Sequence, residues 1–170
     1  VPTNQAGVVV GFSQGNTIEH IRNIRGVLTG WHYMDIGEFY DGSQGGDDAV
    51  GNPTSAAIET AVNDGVSIIN YTGHGSTTSW SSSGFSNAGV NNLTNDNELP
   101  FIFSVACVNG NFTGSTCFAE TWLRAQNNTT GNPTGAIGFY GSTINQSWSP
   151  PMEAQDEFNN MLANEDHSSF

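Results

Sequence analysis

Val66-Ser67-Ile68-Ile69-Asn70-Tyr71-Thr72-Gly73-His74-Gly75 and Pro100-Phe101-Ile102-Phe103-Ser104-Val105-Ala106-Cys107-Val108-Asn109-Gly110 are the two stretches whose reading decides the fold. Each is a short run rich in β-branched and aromatic residues that stops at a glycine-marked turn, the pattern of a largely buried strand. Working outward, a helix is expected over 55–63. Thr54 can cap its free amides, Ile58 and Val62 form its apolar stripe, and Gly65 closes it. A Ser, Thr, Gly and Asn loop follows over 76–97, with a helical turn near 87–93. Beyond the second strand, a helix over 117–126 places Phe118, Trp122 and Leu123 at helical spacing. A third strand spans 135–140, and a last helix over 155–163 has Phe158, Met161 and Leu162 on one side. Upstream, Ile21, Ile24 and Leu28 mark a helix over 18–28, and the apolar run 7–12 has strand length.

Strands that alternate with helices imply an α/β fold, a mainly parallel sheet with helices on both faces. A length of 170 residues fits one domain. Sixteen acids against three arginines and no lysine give a formal charge of -13. Such a field gains nothing from phosphate counterions, so nucleic acid and anionic lipid are excluded as partners. No apolar run approaches the roughly 20 residues of a membrane span. The Asn, Gly, Ser and Thr richness suits an extracellular surface, with any export signal removed or upstream. The Gly and Asp loop over 41–51 reads as a surface turn in preference to a calcium site. Cys107 and Cys117 are too sparse for a disulfide scaffold.

In a parallel sheet, ligands bind beyond the carboxyl ends of the strands. His74 and Cys107 both stand at such ends. The interval from 74 to 107 is 33 residues, enough for the crossover that sets two parallel strands side by side. An imidazole within reach of a thiol can take its proton and make it a nucleophile. Gly75 leaves its backbone amide unobstructed, so that amide and the Cys107 amide could hold a tetrahedral oxyanion. Either residue alone is more often structural; the pairing at neighbouring strand ends carries the functional reading. No close His, Cys or acid spacing marks a metal site.

The blocks Ile69-Asn70-Tyr71-Thr72-Gly73-His74-Gly75-Ser76, Leu99 through Gly110, Cys117-Phe118-Ala119-Glu120, Gly141-Ser142-Thr143-Ile144-Asn145-Gln146-Ser147-Trp148 and Pro151-Met152-Glu153-Ala154-Gln155-Asp156-Glu157 resemble the gingipain family of cysteine peptidases. The resemblance runs from about 18 to 162. It implies a caspase-like fold, His74 as base, Cys107 as nucleophile, and an oxyanion site from the amides of Gly75 and Cys107. It further implies a substrate pocket lined by Thr72, Gly75, Val105, Trp148 and Met152, with Trp148 as lid. Protein or peptide substrates, a secreted or cell-surface bacterial setting, and room for structural calcium follow from the same likeness, with oligomeric state left open.

Two positions depart from the family pattern. Thr17 stands where arginine-specific members carry a pocket-floor aspartate, although Glu19, Asp47 or Asp48 could replace that charge. No acid precedes Glu19 to supply the glutamate that orients the base. The family also has an amino-terminal subdomain and a carboxyl-terminal module beyond this stretch, so a partial catalytic domain is expected over 1–170. The poor alignment of 1–16 further suggests a sheet that lacks its first strand. Two rivals stand beside the peptidase reading: a non-catalytic peptide-binding or adhesin-like homologue using the same groove, and a calcium-dependent surface protein resting on the 41–51 loop.

Overall fold

The computed structural model describes residues 5–11, 17–42 and 50–163. In chain order the elements are β1 (Gln5–Gly11), α1 (Thr17–Gly30), β2 (Tyr33–Phe39), α2 (Ser55–Asn63), β3 (Ile68–Thr72), β4 (Gly75–Ser76), β5 (Ser79–Trp80), β6 (Phe85–Ser86), α3 (Asn87–Val90), β7 (Phe101–Val105), α4 (Phe118–Arg124), β8 (Gly138–Gly141) and α5 (Ser149–Ala163). The main sheet runs β2-β1-β3-β7-β8, and every pairing in it is parallel. The small strands β4, β5 and β6 form a separate antiparallel sheet.

Chain direction across the sheet reverses between β1 and β3, and right-handed crossovers then put helices on opposite faces. On one face α1 buries Ile21, Ile24 and Leu28, with Phe158 and Leu162 of α5 packed alongside. On the other, Ile58 and Val62 of α2 and Phe118 and Trp122 of α4 pack on Ile69, Tyr71 and Ile102. Covered on both sides, β3 is buried at every residue, which is why its sequence shows no polar alternation beyond Asn70 and Thr72.

Local chemistry accounts for the ends of the elements. The Thr54 hydroxyl accepts from the Ala57 amide at 3.2 Å, and α2 stops at Gly65, whose φ of +87° suits glycine. The last helix starts at Ser149 instead of 155, because Pro150 and Pro151 fall in its first turn, where no amide proton is required. Its buried stripe is Met152, Gln155, Asn159 and Ala163, while Met161 is exposed; in α4, Leu123 is likewise exposed.

Three features differ from the sequence-based expectation. Residues 5–11 supply β1, which lies inside the sheet between β2 and β3, so the expected gap at the first strand is absent. β2 was not anticipated because Asp35, Gly37 and Glu38 interrupt it; an edge position tolerates them, and Glu38 pairs with Arg25 at 3.0 Å. The polar loop over 76–97 contains the small sheet, held by Trp80 and Phe85, both fully buried. Trp80 stacks on Tyr71 at 4.6 Å and donates its indole N–H to the Ser104 hydroxyl at 3.0 Å.

Candidate active site

The register of the two central strands sets the site. Thr72 at the end of β3 is level with Val105 at the end of β7. His74 and Cys107 each follow two residues later, so equal overhangs start from strands that lie about 4.8 Å apart. The Gly73 amide donates to the Val105 carbonyl at 3.0 Å, which carries the ladder one step past the strands.

Beyond that step the His74 segment folds over as a hairpin. Gly75 is opposite Trp80, Ser76 is opposite Ser79, and the Ser81 amide donates to the His74 carbonyl at 2.9 Å. Hydrogen-bonded pairs alternate along an antiparallel ladder, so Gly75 occupies a non-bonded pair and its amide points out of the hairpin. The Tyr71 hydroxyl also donates to the His74 carbonyl, at 2.6 Å, and lies 3.0 Å from the Ser82 hydroxyl. Burial pushes the Tyr71 phenol well above its usual range, which keeps it a donor.

Contact between the two loops is close. A methyl group at Gly75 would sit 2.7 Å from the Cys107 carbonyl oxygen and 2.8 Å from the Ala106 Cβ. Only glycine lets the backbones approach so nearly. Asn109, fully buried, ties them: its Nδ2 donates to the carbonyls of Ser76 at 2.7 Å and Ser79 at 3.1 Å, and its Oδ1 accepts from Ser104 at 3.0 Å. Val108, next to the cysteine, holds a φ of +52°, an uncommon and costly state for a β-branched residue. The turn is braced from the other side, where the Val108 amide donates to Ile144 at 3.1 Å and the Gly110 amide to Ser142 at 2.9 Å.

His74 is exposed and Cys107 half-buried, so the pair is open to solvent. The Cys107 thiol lies 3.8 Å from the Gln146 carbonyl. The Trp148 ring stands edge-on to His74 with centroids 5.5 Å apart, and it packs against the cluster of Phe103, Val105 and Met152. Trp148, Val105 and Met152 are thereby gathered beside the histidine. Thr72 is fully buried with its hydroxyl donated to Gln155 at 2.7 Å, and Thr17 is buried as the first residue of α1. A cavity of about 390 Å³ has Glu19, His20, Met152, Glu153 and Asp156 in its wall.

Cys117 has a different setting. It is buried at the start of α4, its amide donates to the Glu120 carboxylate at 2.9 Å, and burial pushes its thiol up. Both cysteines are free. Among the described residues no three His, Cys, Asp or Glu side chains gather as metal ligands. Asp47 and Asp48, and most of the loop weighed for calcium, lie outside the described residues. Among the described residues no helix is long and apolar enough to cross a membrane.

Sequence reasoning did not single out Asn109, Tyr71 or Gln155. Asn109 reads as half of an Asn-Gly turn, and its role exists only because the hairpin lies over it. For Gln155 a signal was present: it falls between Met152 and Asn159 at helical spacing, a polar residue in the stripe that faces the sheet.

The model of Peptidase family C25 matches residues 6–168. Gingipain R2 of Porphyromonas gingivalis is 47% identical over 146 residues, covering 85% of this chain and 18% of that protein. Lys-gingipain HG66 of the same species is 34% identical over 88 residues, 51% of this chain and 5% of the relative. Among solved structures, the crystal structure of the Arg-specific cysteine proteinase gingipain R superposes with a TM-score of 0.85 at 41% identity, covering 94% of this chain and 37% of that one. A complex of Porphyromonas gingivalis pro- and mature gingipain domains gives 0.84 at 42% identity, with 94% and 37% covered. The chain thus spans less than a fifth of gingipain R2 and little more than a third of the solved chains. Its caspase-like α/β fold is theirs, and the match over nearly its whole length means that the chain belongs to peptidase family C25, the family of the gingipains.

Proposed function

We propose that the protein carrying this chain is a cysteine endopeptidase that hydrolyses peptide bonds of proteins or peptides through a thioester on Cys107, with His74 as general base. One observation carries the reading: the level ends of β3 and β7, with Gly75 packed on the Cys107 carbonyl, hold the imidazole and thiol on adjoining loops open to solvent. His74 takes the thiol proton as the sulfur attacks the scissile carbonyl carbon. The amides of Gly75 and Cys107 stabilise the oxyanion while the C–N bond breaks and His74 returns the proton to the departing amine. Water then attacks the thioester, giving its proton to His74, and the free thiol is restored.

In this reading Thr72, Val105, Trp148 and Met152 form the pocket for the side chain that precedes the cut, and Trp148 covers it. Thr17, at the position of the arginine-specific members' aspartate, brings no charge. The chemistry uses no cofactor, and any calcium would serve structure alone. A secreted or cell-surface bacterial setting agrees with the bacterial relatives and the lysine-free acidic composition.

The test is cleavage of a peptide library by the full-length protein and by its Cys107→Ala variant. Turnover should fall at least about a thousandfold with the circular dichroism spectrum unchanged. Cleavage that persists in the variant refutes the mechanism.

A further inference from the structure

The inner face of α5 buries two amides, Gln155 and Asn159, where apolar side chains would ordinarily lie. Gln155 Nε2 is 3.3 Å from Asn70 Oδ1, 3.3 Å from the Tyr71 carbonyl and 3.2 Å from the Phe103 carbonyl. Its Oε1 accepts from the Thr72 hydroxyl at 2.7 Å and lies 2.9 Å from His20 Nε2. Three acceptors around Nε2 settle which way the amide faces, so His20 must hold a proton on Nε2 and donate it. The other ring nitrogen of His20 is 3.2 Å from Asp156 Oδ1. Asn159 supports the group, donating to Asn70 Oδ1 at 2.9 Å and to the Gln155 carbonyl at 2.8 Å.

Tyr71 and Phe103 belong to the neighbouring strands that run on to His74 and Cys107. A single buried amide therefore spans both strands, and its oxygen also holds the last side chain of β3. Apolar residues could bury the same area; a satisfied polar network adds directional contacts that select one arrangement of the strands. His20, which holds Gln155 from α1, also shares a cavity wall with Met152 of the proposed substrate pocket.

We propose that Gln155, held by His20, is a positioning residue that sets the spacing of the strand ends bearing His74 and Cys107. The role rests on the peptidase reading. Small displacements of reacting groups cost rate steeply, about a hundredfold for 1 Å, so loosening this amide affects catalysis before it affects folding.

The experiment uses the full-length protein with active sites counted by a titrant, comparing Gln155→Met, His20→Leu and His20→Gln. Replacement of Gln155 by Met should lower kcat/KM per titrated site about tenfold or more and shift the pH profile of Cys107 alkylation. His20→Leu should lose activity in the same sense. His20→Gln, which keeps a donor toward Gln155, should recover most of it. A role confined to stability lowers Tm and the titratable fraction while kcat/KM per site and the pH profile stay within about twofold of the parent, and that result overturns the proposal. If Gln155→Met does not fold, the two His20 variants decide: equal activity in both overturns it. A parent with neither turnover nor a reactive Cys107 refutes the peptidase reading and this role together, whereas an active parent with indifferent variants refutes this role alone.

Discussion

Cys107 and Cys117 lie ten residues apart on one connection between β7 and α4, and the fold treats them as different kinds of group. Cys107 is half-buried on a strained turn beside a histidine loop, two residues past the end of its strand. Cys117 is the buried residue that caps the start of α4, where burial raises its thiol and disfavours the thiolate. Reactivity of a thiol is a property of place, and places ten residues apart can differ because a tight turn separates a solvent-facing edge from a packed layer.

The sharpest way to break this contrast is chemical. Iodoacetamide at neutral pH should modify Cys107 about a hundredfold faster than Cys117 in the folded protein, read by mass spectrometry of the two peptides. Equal rates would remove the distinction and favour a binding protein that only shares the groove. Next in size is the tie that holds the reactive loop to the hairpin. Asn109→Ala leaves the Ser104 hydroxyl and two carbonyls without their partner, so it should destabilise the fold by about 3 kcal/mol and slow Cys107 alkylation roughly tenfold. Cys117 should show no matching loss; if both thiols keep their parent rates, the tie is not what distinguishes them.

The smallest effect is a control at a carboxylate whose hydrogen-bond partners include neither cysteine. Hydrogen bonds from Thr130, Asn132 and Asn127 hold the Asp96 carboxyl below its ordinary value. A depressed carboxylate contributes stability above its unfolded value, near about 3.9, and that contribution is lost as pH falls through the lower folded value. Asp96→Asn should therefore lower Tm by about 2 °C at neutral pH, with the difference shrinking as acid protonates the carboxylate. Melting curves across pH check this, and alkylation at Cys107 should be unchanged.

Much of the site was legible before any coordinates. The runs ending at His74 and Cys107 read as buried strands because parallel strands under helices carry continuous apolar residues, and each is observed within two residues of its expected bounds. Ile21, Ile24 and Leu28 marked α1 for the same reason, since apolar spacing is a local signal. Edge strand β2 was not legible, because at an edge the solvent meets the backbone and Asp35, Gly37 and Glu38 cost little there. The segment over 5–11, though apolar, could not be placed inside the sheet, for its neighbours are strands 28 and 61 residues further on, counting from Gln5 to Tyr33 and from Gly7 to Ile68. The two-residue strands over 75–86 are too short for any period to register, and they exist because Trp80 and Phe85 find a packed layer to enter.

The sequence by itself determined which chemical groups this protein has and the alternating elements that present them: a histidine and a cysteine after apolar strands, flanking glycines, and a polar amide in a helix stripe. Those follow from residue type and short-range spacing. Tertiary structure alone decided that Thr72 lies level with Val105, that Gly75 rests on the Cys107 carbonyl, and that Asn109 and Gln155 bridge their neighbours. Such contacts join residues 30 to 135 positions apart, and only the closing of the sheet, with helices drawn onto both faces by burial, brings them within hydrogen-bond reach.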